Sequence, residues 1–116
     1  MEVQMLEDDK ILDILKKDPQ KGMVHLMEKY TALVWHVSSL YVKNPEDIKE
    51  CVNDAFSEFY FQRDKFVPGK SSLSAYLTAI VRNRAVSIYR KEQREKRKQE
   101  FLSVEDPGET VRKLIS

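Results

Sequence analysis

Apolar positions recur every three or four residues along four stretches of the chain, the spacing that puts side chains on one face of an α-helix. The first, roughly Leu6 to Lys17, sets Leu6, Ile11, Ile14 and Leu15 near one face and ends at Asp18-Pro19. So short a helix needs a neighbour to be stable. Asp18 is suited to cap the next helix, with Pro19 in its first turn, where a missing N–H costs nothing. From Met23 to Tyr41 the residues Met23, Leu26, Met27, Tyr30, Leu33, Val34, Val37, Leu40 and Tyr41 give a strong amphipathic pattern. Asn44-Pro45 repeats the cap-and-proline start, with Glu46 and Asp47 at the positive end of the helix dipole. The helix after this start carries Ile48, Cys51, Val52, Ala55, Phe56, Phe59 and Tyr60 on one stripe and Glu46, Lys49, Glu50, Asn53, Asp54 and Glu58 mostly away from it.

Val67 to Ser72 interrupts the periodicity with Pro68, Gly69 and two serines, either of which can cap the next helix. A last long helix begins near Leu73 and runs through Leu77, Ile80, Val81, Ala85 and Ile88. Arg90 to Lys98 (RKEQREKRK) then extends it as a basic stretch without a core face. Ser103 to Glu109 (SVEDPGE) reads as a linker, and Thr110 to Ser116 as the start of another helix. The predicted fold is all-α, a compact bundle of three to four helices with a loop before the last long helix. At 116 residues the chain accommodates about one core. Residues 1–100 are expected to form the domain and residues 101–116 the start of a linker.

The composition, 41% hydrophobic and 34% charged with three Gly and four Pro, fits a helix-rich globular chain. Cys51 is the only cysteine, which rules out an internal disulfide and suits a reducing compartment. No apolar run approaches the roughly 20 residues needed to span a bilayer, and the acidic start MEVQMLEDDK is unlike a signal peptide, so a cytoplasmic location is expected.

The net charge of +1 conceals a division. Met1 to Asp64 holds thirteen acidic and eight basic side chains, a balance of −5, and Lys65 to Glu100 holds ten basic and three acidic ones, a balance of +7. A basic half is suited to a polyanion, whereas an acidic half repels one and suits a protein partner.

Catalytic chemistry finds no foothold. His25 and His36 lie eleven apart without Cys or carboxylate at ligand spacing, and Cys51 stands alone, so neither a metal site nor another cofactor is expected. Gly69 with Lys70-Ser71 lacks the rest of a phosphate-binding loop. Asp8-Asp9 and Glu46-Asp47 are adjacent carboxylates that diverge on a helix and read as helix-start charges. There remains the basic stretch, interleaved with Tyr76, Asn83 and Tyr89, on which Asn83, Arg90, Arg94 and Arg97 share one broad face. That face suits a phosphate backbone; taken alone, the same charges would also serve merely to solubilise a marginal helix.

Read in order, the segments MEKYTALVWHVSSLYVKNPEDIKECVNDAFSEFYFQRDKF and GKSSLSAYLTAIVRNRAVSIYRK carry a set of ordered motifs. Glu50, Asn53, Asp54 and Phe56 stand in a D-x-x-Q-[DE]-x-F pattern. Phe66 comes next, then Gly69, Ser71 and Ser72 in a loop, then Tyr76, Leu77, Ile80, Val81 and Asn83 in a W-L-x-x-I-A-x-N pattern, and Tyr89-Arg90 at its end. From Tyr30 to Arg90 the chain resembles region 2 of the sigma-70 family, in its extracytoplasmic-function (ECF) branch. The chain departs from the pattern at Asn53 for Gln, Tyr76 for Trp and Val81 for Ala.

The resemblance implies a non-enzymatic transcription-initiation domain that binds core RNA polymerase and the single-stranded −10 element of a promoter. It implies polymerase contact, at the clamp helices of the β′ subunit, through Glu50, Asn53 and Asp54. It implies DNA contact through Lys70, Ser71 and Ser72 of a loop that cradles a flipped base, and through Arg82, Asn83, Arg84, Arg90 and Arg94 on the last helix. Tyr76 is expected in the core rather than as a stacking platform. Five engaged phosphates would give a log–log salt slope of roughly −3.5 on single strands. ECF factors also carry a C-terminal domain that reads the −35 element, expected here to be absent, and an anti-sigma factor is a further partner the resemblance allows. Two rival readings are a small helical DNA-binding regulator of another family, which would favour duplex DNA, and a helical protein-interaction module, which would favour neither strand form.

Overall fold

The computed structural model describes residues 5–102 and 107–115. Among these residues five helices succeed one another, α1 (Asp8–Lys17), α2 (Pro19–Ser39), α3 (Pro45–Phe61), α4 (Leu73–Leu102) and α5 (Pro107–Ile115), with a 3-10 turn at Arg63–Lys65 and no strand. The fold is all-α as the periodicity predicts.

Asp18 serves as two caps. Its backbone N–H closes α1 on Ile14 O at 2.7 Å, while its side chain accepts from Lys21 N at 3.2 Å to open α2, with Pro19 in the first turn. The turn is tight because of Gly22: a methyl group there would lie 2.7 Å from the backbone N and Cα of Leu15, closer than non-bonded carbon atoms approach. α1, with Asp8 and Asp9 in its first turn and Lys16 and Lys17 in its last, complements its own dipole. A helix of ten residues is still not stable alone in water. Burial of Ile11 and Leu15 supplies the rest, together with hydrogen bonds to Asp8 Oδ1 from Lys29 Nζ (2.8 Å) and Tyr30 Oη (2.6 Å). Burial alone would raise the Asp8 carboxyl, but the bonds from Lys29 and Tyr30 and the Lys29 charge outweigh it and leave the group below its ordinary value. Burial and the same carboxylate push the Tyr30 phenol upward, so it stays a donor.

α2 buries Leu26, Tyr30, Val34 and Val37, and α3 buries Ile48, Cys51, Val52, Ala55, Phe56 and Phe59. Between them Val42, fully buried, pins the turn, and Asn44 Oδ1 caps α3 by accepting from Glu46 N at 2.9 Å. Cys51 lies under α4, its thiol directed at Val81 O at 3.8 Å, and burial raises its pKa, so it is a core residue and not a nucleophile.

α4 buries Leu73, Leu77, Ile80, Val81 and Ala85 against α2 and α3. Beyond Ala85 none of its residues is buried, although the helix continues to Leu102. Thirty residues at 1.5 Å span about 45 Å, so the second half of α4 projects from the bundle. Of the stretch read as a linker, residues 103–106 lie outside the described residues, and the remainder differs from expectation: α5 begins at Pro107, three residues before the predicted helix start, because proline is well suited to a first helical turn.

Candidate functional site

Two surfaces gather the residues singled out from the sequence. The first lies where α3 faces α4. On α3, Asp47, Glu50, Asp54, Ser57 and Phe61 succeed one another at intervals of three and four and so share a stripe opposite the buried face. Its Asp47, Glu50 and Asp54 form one wall of a trough of about 680 Å³ whose other wall is α4, with Arg84, Ser87, Ile88 and Lys91. A smaller hollow of about 380 Å³ continues it toward Glu58, Phe61 and Gln62, and the two share Asp54 and Arg84. Glu50 is exposed and Asp54 half-buried, both in the trough. Asn53 is exposed but turned about 100° from Asp54, and it lines neither hollow.

Arg84 belongs structurally to this surface. Its Nε lies 3.1 Å from Glu58 Oε2, tying α4 to α3 at the smaller hollow. Consecutive helical residues point about 100° apart, so Arg82, Asn83 and Arg84, grouped together from the sequence, fan out over about 200°. Only Asn83 shares a face with Arg90 and Arg94, at offsets of seven and eleven. Arg82 is exposed on another side of the helix.

The second surface begins at the loop before α4. Val67-Pro68-Gly69-Lys70 has the marks of a type II turn: Pro second, Gly third with φ of +93°, and Lys70 N–H donating to Val67 O at 3.2 Å. An L side chain at Gly69 would be strained in that conformation. Ser72 caps α4 by accepting from Ala75 N at 3.1 Å, so of the two serines offered by the sequence the second is the cap. Pro68 to Ser72 are all exposed. Behind the loop Phe66 is buried, packed edge-on against Tyr76 at 5.1 Å, and Tyr76 in turn meets Phe59 at 6.0 Å. Tyr76 is thus part of the core's edge, as expected, and its contacts fix where the loop leaves the bundle.

Between the loop and α1 lies a pocket of about 340 Å³ lined by Asp8, Asp9, Leu12, Phe66, Pro68, Gly69, Ser71, Ser72 and Leu73. Sequence reasoning found Ser71 and Ser72 but missed Asp8, Asp9 and Leu12, which are about 60 residues away in the chain and carried no local signal beyond helix-start charge. Lys70 is exposed beside this pocket without lining it. Along α4 the residues Asn83, Arg90 and Arg94 continue from Ser72 at about 16, 27 and 33 Å of axial rise, and all three are exposed.

The described residues contain no cluster of His, Cys, Asp or Glu arranged to hold a metal ion, and no helix among them is long and apolar enough to cross a membrane. No curated protein matches the chain. A family model described as Sigma-70 region 2 matches residues 26–95, which takes in most of α2, all of α3, the loop and α4 past Arg94. The match covers more than half the chain, leaving α1, the first turns of α2 and the C-terminal end outside. The protein therefore belongs to the sigma-70 region 2 family, whose members are transcription-initiation domains that bind core RNA polymerase and take part in recognition of the promoter −10 element.

Proposed function

We propose that this chain is region 2 of an ECF-type sigma factor, acting in the cytoplasm by binding and not by catalysis. Its acidic α3 face, with Glu50, Asn53 and Asp54, docks on the β′ clamp helices of core polymerase. The Val67–Ser72 loop takes a flipped base of the −10 element into the pocket behind Ser71, and Asn83, Arg90 and Arg94 track the phosphates of the same strand, with Lys70 and Arg82 adding charge on either side. Flipping a base costs a few kcal/mol of stacking and pairing, which contacts to the extruded base must offset.

The observation that carries the reading is the exposed loop with an open pocket at the N-terminus of a basic helix, on a domain whose other exposed helix is acidic. A loop locked into the core would have no room for a base. Fluorescence anisotropy with a labelled −10-type oligonucleotide tests it: the single strand is expected to bind more tightly than the duplex of the same sequence. Tighter binding of the duplex would point to major-groove readout and overturn the proposal.

A further inference from the structure

α1 lines two adjoining hollows beside the loop, and they carry opposite charge. The first is the base pocket, to which α1 gives Asp8, Asp9 and Leu12. The second, of about 430 Å³, shares Leu12, Phe66 and Pro68 with it and is floored by Phe59 and Leu15. Its charged residues are Lys16, Arg63 and Asp64. Among the described residues, then, the base pocket holds two carboxylates and no cation, while its neighbour holds two cations and one carboxylate. On α1, Asp9, Leu12 and Lys16 follow at intervals of three and four and so share a face. Seven residues of helix separate its acidic end from its basic end by about 10 Å, with half-buried Leu12 as the apolar step between them. A nucleotide has the same polarity, with a base edge at one end, a phosphate at the other and an uncharged sugar between.

The groups at each end are free to act. Asp8 receives Lys29 and Tyr30 on Oδ1, so its Oδ2 keeps its lone pairs, and Asp9 is exposed at the pocket. Ionised carboxylates are acceptors only. An acceptor-only wall favours a base edge that ends in an amine, as in cytosine and adenine, where a carboxylate accepts from N4 or N6. Thymine has the carbonyl oxygen O4 at that place, and two acceptors turned on each other lose their water without gaining a donor. At the other end the Arg63 guanidinium is anchored on Tyr60, with Nη1 donating to Tyr60 O at 2.7 Å and Cζ 4.3 Å from the ring centroid. Its remaining N–H groups suit a phosphate. Lys16 is exposed beside the same hollow.

Resting on the base-pocket reading above, we infer that α1 holds the flipped nucleotide at both ends: Asp8 and Asp9 select cytosine or adenine over thymine through the exocyclic amine, and Lys16 with Arg63 takes an adjoining phosphate. The strand that Arg90 and Arg94 track along α4 then crosses the loop and leaves over the α1–α2 turn. α1 lies outside the residues that the family model matches, so this selectivity resides in a segment beyond the shared family pattern.

The test measures anisotropy of a labelled oligothymidylate, and of the same strand with one central dC or dA, against the full native chain and its Asp9→Asn, Lys16→Ala and Ser71→Trp variants. All three positions are exposed, and melting curves check that each variant is folded. The native chain is expected to bind the dC and dA strands about fivefold or more tightly than the all-thymine strand. Asp9→Asn should bring that ratio below about two. Lys16→Ala should keep the ratio but flatten the log–log salt slope by about 0.7, as for one lost phosphate contact. Ser71→Trp, whose indole fills the base pocket, should weaken binding of every strand. If Ser71→Trp weakens binding but the native chain does not distinguish the strands, Asp9→Asn keeps the native ratio, or Lys16→Ala keeps the native slope, the two-ended grip is overturned and the base pocket stands. If Ser71→Trp binds every strand like the native chain, the base-pocket reading itself falls, and this inference with it.

Discussion

The acidic trough and the basic loop-and-helix surface share α4, yet they are supported differently. The α3 wall of the trough lies on the back of a helix whose other side buries six residues from Ile48 to Phe59, and an ion pair from Arg84 to Glu58 holds the opposite wall against it. The distal basic residues Arg90 and Arg94 sit on a part of α4 with no buried neighbour on the helix after Ala85. A surface of the first kind has its geometry set by the core. One of the second kind is set by backbone hydrogen bonding and helix propensity, so its side chains are replaceable with little effect on folding. The two binding functions should therefore be separable by mutation.

The most severe challenge to that separation is Asp54→Arg. It is expected to reduce core polymerase affinity at least a hundredfold, about 2.8 kcal/mol, while leaving helicity and single-strand affinity as they were. A parallel loss of DNA binding would mean that the surfaces are one. Next in size, replacing Arg90 and Arg94 together by Ala should weaken single-strand binding and flatten its log–log salt slope by about 1.4, at about 0.7 per phosphate contact. An unchanged slope in salt titrations would show that neither residue touches a phosphate.

Arg84→Ala discriminates more finely between the two surfaces, because sequence grouping puts this residue with the DNA and its position puts it in the trough. A several-fold loss of polymerase binding with single-strand affinity unaltered is expected, alongside a stability change below about 1 kcal/mol, since the pair with Glu58 is partly exposed. The opposite pattern in the two binding assays would return Arg84 to the DNA surface. The smallest effect concerns α1, which walls the base pocket. The Asp8 carboxyl is held below its ordinary value by Lys29 and Tyr30, so its contribution to stability is present above the unfolded-state value near 4 and is lost as the pH falls through the lower folded-state value. In melting curves from about pH 7 down to about pH 2.5, Asp8→Asn should be less stable at neutral pH by about 1 kcal/mol or less. The gap should close on acidification, and a gap independent of pH would show that the carboxylate charge is not what ties α1 to α2.

Most of the architecture was legible because helix periodicity and capping are local. Asp18-Pro19 and Asn44-Pro45 open α2 and α3 as expected, and the stripe from Ile48 to Phe59 is buried as expected. Tyr76 falls at the core edge for a reason visible in its place between Leu73 and Leu77. The candidate site was legible only in part. Glu50 and Asp54 reach a common trough, but Asn53, adjacent in the motif, points elsewhere.

Where α2 and α3 start, which face each buries and how charge divides between the chain's two halves are written in the order of the residues, because these depend on neighbours within a few positions. That Arg84 crosses to Glu58, that Asp8, Asp9 and Leu12 close the loop's pocket, and that Phe61 stands at the end of a groove emerge only in the folded bundle. Those outcomes come from how helices pack around one core. Packing brings together residues up to about 60 positions apart, and no pattern within a single helix encodes such a meeting.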